Sequence, residues 1–283
     1  MPELPEVETI KQGLSKKIVG LKIKDVQILN SKTFSGDEKQ LKNKKVKSIW
    51  RKAKVLGIDL ENNLTLLFHL KMSGQLVYQG KQRFVGGHPT TDMTQEMPNK
   101  STRVIFEFSD KSKLFFNDQR KFGWIRIIDN GQLKMDNFLK NLGPEPLEKD
   151  FTVEVFKKQL LKRKNLPIKV ALMDQSLISG IGNIYASEAC FDAKIDPGRK
   201  VSELSDQEFK KMHQGIIKSL EDGIKHGGAT RAHFVDAEGH KGYFLDYAYV
   251  YGKDKHPCKV CGGIIKKITQ AGRGTYYCPK CQK

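Results

Sequence analysis

Between Cys258 and Cys281 the chain reads "CKVCGGIIKKITQAGRGTYYCPKC", two Cys-x2-Cys pairs separated by 16 residues. Four cysteines in that pattern predict a tetrahedral structural zinc site, closed by sulfur ligands with no position left for water. A thioredoxin-like redox motif is the competing reading, but it uses one Cys-x2-Cys on a βαβ unit. The residues between the pairs alternate on either side of Gly272-Arg273-Gly274, which predicts two strands turning at that tip. From Lys253 to Lys283 eight basic residues face Asp254 alone, the most positive part of the chain. Arg273, flanked by glycines, is aimed at phosphates or a groove on this reading; a solvated arginine at a turn has the same signature. Cys190 stands apart and reads as a small buried hydrophobe.

The rest of the chain shares that charge. Lys and Arg number 50 against 32 Asp and Glu, a net charge of +18 over 283 residues. Such a surface favours a polyanion, and nucleic acid is the usual one because each neutralised phosphate releases counterions. The length suggests about two domains with a sizeable core. No apolar run reaches the ~18 residues of a membrane span, and the acidic "PELPEVET" after Met1 is unlike a cleavable signal peptide. A cytoplasmic location is expected, where unpaired cysteines are normal.

The amino terminus, "MPELPEV", has two readings. A frayed start is the ordinary one. The other follows from Pro2: initiator Met is removed before small residues, which leaves a secondary amine. With a pKa near 7.7–8.0 such an amine is partly neutral and nucleophilic at pH 7. Val7, Ile10, Leu14 and Ile18 then recur at helical spacing, predicting a helix that holds this terminus against a core. From Leu21 to Ile128 short β-rich runs such as "KVLGIDL", "LTLLFHL", "TRVIFEF" and "GWIRII" predict an antiparallel sandwich or barrel. The stretch from Gln79 to Asn99 has no clear period and is expected to be a loop.

"LGPEPL", Leu142 to Leu147, marks a joint, beyond which the pattern turns helical. Phe156 and Leu160 share a face, and Ser205 with Glu208 forms a capping box ahead of Phe209, Met212, Ile216 and Leu220. In "LISGIGNIYASEACF", Leu177 to Phe191, Gly180 and Gly182 permit a tight turn and Asn183 is expected to cap the next helix, whose first amides would face an anion. An inter-helix turn with no ligand fits those residues equally. Met72 in "HLKMSG" and Arg120 with Phe122 in "NDQRKFGW" sit between strand-like runs. Ordinary packing explains them, yet Met and Phe are also what proteins wedge between bases, with Arg filling polar vacancies.

Taken together, "PELPEVET", "HLKMSG", "DQRKFG", "LGPEPL", "DQSLISGIGNIYASEA" and "GRGTYYCPKCQ" resemble the bacterial formamidopyrimidine-DNA glycosylase family, in family order and over essentially the whole chain. The resemblance implies an α+β multidomain fold: an N-terminal helix plus antiparallel β-sandwich over 1–141, a helix-two-turn-helix DNA-binding domain over 142–240, and a C-terminal zinc-finger hairpin over 241–283. It implies a monomeric glycosylase and abasic-site lyase of base-excision repair, acting on 8-oxoguanine and formamidopyrimidines in double-stranded DNA. Pro2 matches the family nucleophile, Glu3 a general acid/base at the deoxyribose, Glu6 an orienting carboxyl and Lys54 the essential lysine. Met72, Arg120 and Phe122 match the positions that fill the hole left by an everted base. His69, Asn183 and Arg273 match backbone-binding positions; Thr230, Arg231 and Phe234 are candidates for the loop over the lesion. Three departures stand out: Ala53 where Gly is common, Ser101 where His is frequent, and Ala232 where the lesion loop usually carries Arg. An endonuclease VIII-like enzyme for oxidised pyrimidines and a non-catalytic damage-binding protein are the alternatives. An intact Pro2, Glu3 and Lys54 weigh against the second.

Overall fold

The computed structural model describes residues 1–88, 95–229 and 244–283. Two compact units emerge from the chain's own contacts: residues 1–140 with 227–243, and residues 141–226 with 244–283. No helix among the described residues is long and apolar enough to cross a membrane.

The first unit starts with helix α1 (Leu4–Ile18), whose Pro5 lies in the first turn, where a missing N–H costs nothing. Among the described residues ten strands follow: β1 (Ile23–Ile28), β2 (Phe34–Ser35), β3 (Val46–Lys52), β4 (Val55–Leu60), β5 (Leu64–His69), β6 (Gly74–Gln79), β7 (Phe84–Gly87), β8 (Thr102–Phe108), β9 (Lys113–Asp118) and β10 (Trp124–Asp129). They form two five-stranded sheets, ordered β1-β8-β9-β6-β7 and β2-β10-β5-β4-β3. All pairings are antiparallel except β2 with β10. Leu56, Ile58, Leu66 and Phe68 of one sheet share a continuous core with Leu76, Phe106, Phe108 and Phe116 of the other, and Val7, Ile10, Leu14 and Ile18 of α1 join it. Helical spacing therefore placed the buried stripe of α1 correctly.

The expected loop from Gln79 to Asn99 is corrected here: it contains β7, which pairs with β6 from Gln75↔Gly87 to Tyr78↔Phe84. A fully buried "FVGG" has no polar alternation to reveal it. It also packs on α1 so closely that a Cβ on Gly13 would lie 2.1 Å from the Phe84 ring.

Helix α2 (Asn137–Lys140) ends the 1–140 part of the first unit. The second contains α3 (Val153–Leu161), α4 (Ile168–Leu172), α5 (Asn183–Asp192), α6 (Asp206–Lys225) and α7 (Phe244–Tyr247), then the hairpin β11 (Lys266–Gln270) and β12 (Arg273–Tyr277). Phe156 and Leu160 are buried, as their spacing implied. Ser205 and Glu208 form the expected capping box of α6. Glu208 is held down at about 2, first by its hydrogen bond to Arg199. Cys190 is fully buried, and burial pushes its thiol up to about 12, an inert side chain. The buried Glu188 carboxylate of α5 accepts the backbone N–H groups of Tyr249, Val250 and Tyr251 at 2.8–3.0 Å, fixing the segment that leads into the hairpin.

The hairpin turn lies one step earlier than expected. Ala271 and Gly272 take φ of 46° and 70°, and Gln270 pairs with Arg273. A two-residue turn with both residues left-handed matches the right-handed twist of the strands, so Arg273 opens β12 instead of forming the tip.

Candidate active site and nucleic-acid interface

Pro2 is buried at the entrance to α1, and Glu3 and Glu6 beside it are 3 % and 5 % exposed. The Glu3 N–H donates to Glu6 Oε2 at 2.7 Å, closing the first turn over the chain start. The other oxygen, Glu6 Oε1, accepts the Ala229 N–H at 2.9 Å. Gly228 makes that approach possible: its φ is +86°, and a Cβ there would stand 3.0 Å from Glu6 Oε1. One carboxylate thus joins the amino terminus to the chain just before the lesion-loop candidates. Thr230, Arg231 and Phe234, and the departure at Ala232, lie outside the described residues.

Arg51 of β3 ties the same helix to the lysine turn. Its Nε bonds Glu8 Oε2 at 3.0 Å, and its Nη1 donates to the Ala53 carbonyl at 3.3 Å. Burial acts to raise the Glu8 carboxyl, but its bonds to Lys11 and Arg51 hold it below the usual range. Lys52 pairs with Val55, leaving Ala53 and Lys54 as the two-residue turn. Ala53 has φ +52°, which gives the departure a physical reading: the position asks for the left-handed conformation glycine adopts freely, and alanine takes it at a cost of about 1 kcal/mol. Lys54 is 5 % exposed.

His69 ends β5, pairing with Val55 on one side and Trp124 on the other. Its ring packs against Trp124 and edge-on to Phe138, with centroids 5.6 and 5.2 Å away. Nδ1 accepts the Lys71 N–H at 2.9 Å, so the neutral ring carries its proton on Nε2 and presents a donor. Burial, then the charges of Lys71 and Lys54, lowers its pKa to about 3. The native state therefore binds fewer protons than the unfolded chain between that value and the ordinary 6.5, and stability is lost as pH falls through this window. His69→Gln is expected to remove up to about 1.4 kcal/mol per pH unit of that slope, read from urea midpoints between about pH 6.5 and 4.5.

Met72 is half-buried in the β5–β6 turn, while Arg120 and Phe122 are exposed in the β9–β10 turn. Phe122 is 56 % exposed, large for an aromatic ring, with the Arg120 guanidinium 5.0 Å above it. Packing, the ordinary reading of that pair, is excluded by this exposure.

Within the second unit Asn183 is not the cap of α5; Gly182 is, and Asn183 is the first helical residue. Its side chain is used elsewhere. Nδ2 donates to the Gly274 carbonyl at 3.0 Å, and Oδ1 accepts from Lys169 Nζ at 2.6 Å. Lys169, 1 % exposed, also donates to Thr275 Oγ1 at 2.8 Å, so one buried cation fastens the start of α5 to β12 beside Arg273.

The Sγ atoms of Cys258, Cys261, Cys278 and Cys281 lie within 4.8 Å of one another, and the Cys258–Cys281 and Cys261–Cys278 pairs are 3.9 and 3.4 Å apart. Tetrahedral Zn–S bonds of about 2.3 Å require sulfurs about 3.8 Å apart, so the set fits one zinc ion. Gly263 N–H, 3.4 Å from Cys261 Sγ, holds that thiol down at about 7.

Residues that sequence reasoning missed share one trait: a buried charged or polar group with partners remote in the chain. Asp118, Lys169 and Glu188 are examples. His88 also escaped notice: it is half-buried just past β7, its imidazole lowered by burial and by the charge of the Met1 ammonium.

A β-sandwich led by a helix with a buried Pro2 at its entrance, a helical unit with a glycine turn, and a four-cysteine hairpin define a multidomain DNA-repair glycosylase architecture. Residues 1–125 match the formamidopyrimidine-DNA glycosylase N-terminal domain, 142–234 the H2TH domain of the same enzymes, and 255–283 the zinc finger found in FPG and IleRS. The formamidopyrimidine-DNA glycosylase of Ligilactobacillus salivarius is 40 % identical over 286 residues, spanning 100 % of this chain and 99 % of its own. A Lactococcus lactis FPG variant bound to Fapy-dG-containing DNA superposes with a TM-score of 0.87 at 33 % identity, covering 100 % of both chains. MutM in complex with carbocyclic 8-oxo-G-containing DNA gives 0.85 at 34 %, also covering both chains fully. The chain belongs to the formamidopyrimidine-DNA glycosylase family.

Proposed function

We propose that this protein removes oxidised purines, 8-oxoguanine and formamidopyrimidines, from duplex DNA and then cleaves the strand at the abasic site. Relatives solved on Fapy-dG and 8-oxo-G DNA support the substrate class. The observation that carries the reading is the buried Pro2 at the entrance to α1, flanked by the buried carboxyl groups of Glu3 and Glu6. A frayed terminus would need no such enclosure.

In this mechanism the Pro2 nitrogen, freed by loss of Met1, attacks C1′ of the everted nucleotide. The N–C1′ bond forms, the glycosidic bond breaks, and the base leaves with a proton. Glu3 manages protons at the deoxyribose as the ring opens to an iminium, an electron sink that acidifies the C2′ proton. Its loss expels the 3′ phosphate by β-elimination, δ-elimination releases the 5′ phosphate, and water hydrolyses the adduct to restore the amine. Glu6 orients the terminus through the Glu3 amide, and Lys54 contacts a phosphate near the lesion. Met72 and Phe122 wedge the stack and Arg120 pairs with the orphaned base, offsetting the few kcal/mol that base flipping costs. His69, Asn183 and Arg273 hold backbone phosphates, and Thr230, Arg231 and Phe234 are the candidates for the loop over the lesion. The sandwich domain performs the chemistry, the helical domain and zinc hairpin grip DNA, and the enzyme acts as a monomer in the cytoplasm at the nucleoid.

Borohydride trapping tests this directly. Purified protein on a duplex with one 8-oxoguanine is expected to give a covalent adduct that mass spectrometry places on Pro2, with β,δ-elimination product when reductant is omitted. Preferential turnover of a matched oxidised-pyrimidine duplex would point to endonuclease VIII-like specificity. Tight binding without any adduct, in protein shown to lack Met1, would overturn the catalytic reading.

A further inference from the structure

The turns bearing Met72 and Arg120–Phe122 belong to different connections, β5–β6 and β9–β10, yet they run side by side. Gly74 pairs with Asp118 in one sheet, and His69 pairs with Trp124 in the other, so both connections cross from sheet to sheet at the same place. Between the crossings lies the Asp118 carboxylate, 0 % exposed. Its Oδ1 accepts hydrogen bonds from the Ser73 hydroxyl and, at 3.2 Å, from the Arg120 N–H. Its Oδ2 accepts the Gly123 N–H at 2.6 Å. Ser73 Oγ also receives the Arg120 N–H, at 3.1 Å.

The backbone of Asp118 is anchored as firmly. Its N–H donates to the Ser101 carbonyl at 2.8 Å, and its carbonyl accepts Arg103 Nε at 2.8 Å. Gly123 is matched to the carboxylate: a Cβ there would lie 2.7 Å from the Phe116 ring and 3.0 Å from Asp118 Oδ2. The carboxylate therefore pins both ends of the 120–123 turn from inside and reaches the residue next to Met72 through Ser73. Lys121 turns the chain outward at φ +58°.

We propose that Asp118 is the positioning residue that joins the two turns into one wedge, so that Met72, Arg120 and Phe122 enter the duplex together. It touches no substrate on this account; it acts through Ser73 and the loop amides. The proposal rests on the reading above that these three side chains fill the space of the everted base. Chemistry specifies the side chain. Two carboxylate oxygens serve donors on both sides, whereas an asparagine in the same pose would turn an N–H toward either the Arg120 N–H or the Gly123 N–H.

Asp118→Asn is accordingly expected to slow excision of 8-oxoguanine by about 10- to 100-fold more than it slows cleavage of a preformed abasic site, where no base must be pushed out. Stopped-flow fluorescence of 2-aminopurine beside the lesion should show the deficit in the eversion phase. Ser73→Ala, which removes one link only, should show a smaller deficit of the same kind. It should add little in the Asp118→Asn background, because both act through one network. Urea midpoints identify any variant that fails to fold, in which case Ser73→Ala alone decides. Equal losses on both substrates, or eversion at the wild-type rate in folded variants, would overturn the proposal. Met72→Ala separates the two levels: if it leaves eversion unchanged, the void-filling reading itself fails, whatever Asp118 does.

Discussion

Blocking the amine of Pro2, by acetylating the processed chain or by leaving a residue ahead of it, is expected to abolish both base excision and strand cleavage while leaving lesion binding within a few-fold. Single-turnover rates on 8-oxoguanine and abasic duplexes, beside equilibrium binding to an uncleavable abasic analogue, measure the two quantities separately. The loss should exceed about a thousandfold, because removing a covalent nucleophile takes away the whole reaction path and not one of its supports. Pro2→Gly differs in an informative way. A primary amine still condenses with an open-chain aldehyde, so cleavage at a preformed abasic site should survive better than excision of an intact base.

The surroundings of the terminus favour this outcome. Glu6 closes both the Glu3 amide and the Ala229 amide, so the chain start is held by hydrogen bonds of 2.7 and 2.9 Å. A nucleophile so enclosed is preoriented, and orientation supplies much of an enzyme's advantage over free reactants. Should a blocked terminus leave excision intact, another residue must provide the nucleophile and the reading of Pro2 would be wrong.

What could be read in advance, and what could not, divides along a physical line. Local periodicity and ligand spacing are properties of neighbouring residues. The stripe of Val7, Ile10, Leu14 and Ile18, the Ser205–Glu208 box and the paired cysteines were therefore legible. Strand β7 was not, since "FVGG" shows its register only against β6. Asn183 looked like a cap because its type favours caps. Its side chain instead satisfies Lys169 and Gly274, the latter 91 residues away. Arg273 was misplaced by one turn position, because any of three consecutive small or flexible residues could have formed the bend. Asp118 and Lys169 escaped altogether: nothing in a sequence distinguishes a buried, fully partnered charge from a solvated one until the partners are assembled around it. Ala53 shows the converse, a departure from a family preference that the fold tolerates through the Lys52↔Val55 pairing and the Arg51 bond to its carbonyl.

Removing zinc is expected to affect affinity far more than the chemical step. The hairpin buries little of its own: Phe191, Val250, Cys258, Ile265 and Cys278 form a small cluster in which two members are ligands. Structural zinc contributes about 10–16 kcal/mol to isolated fingers, more than such a cluster supplies, so chelation or Cys258→Ser should unfold the segment. The damage then spreads inward by a definite route. Losing β12 takes Gly274 and Thr275 from Lys169, leaving a buried cation with only Asn183 of those partners, and it releases the Asn183 amide. Each hydrogen bond to a charged group contributes about 1.5–3 kcal/mol, so the start of α5 should shift as well as the hairpin. Two grips on the phosphates fail together, Arg273 directly and Asn183 through its anchor. The Kd for a lesion duplex should accordingly rise at least about a hundredfold, with the salt dependence of binding shallower by about one unit for each cation withdrawn from a phosphate. At saturating DNA the trapped adduct on Pro2 should still form, since the sandwich unit holds its own core. Metal analysis should give one zinc per chain before chelation, and binding should return with added zinc. A stripped protein that binds and cleaves as before would refute the hairpin as a DNA grip, and with it the account of why Lys169 is buried where it is.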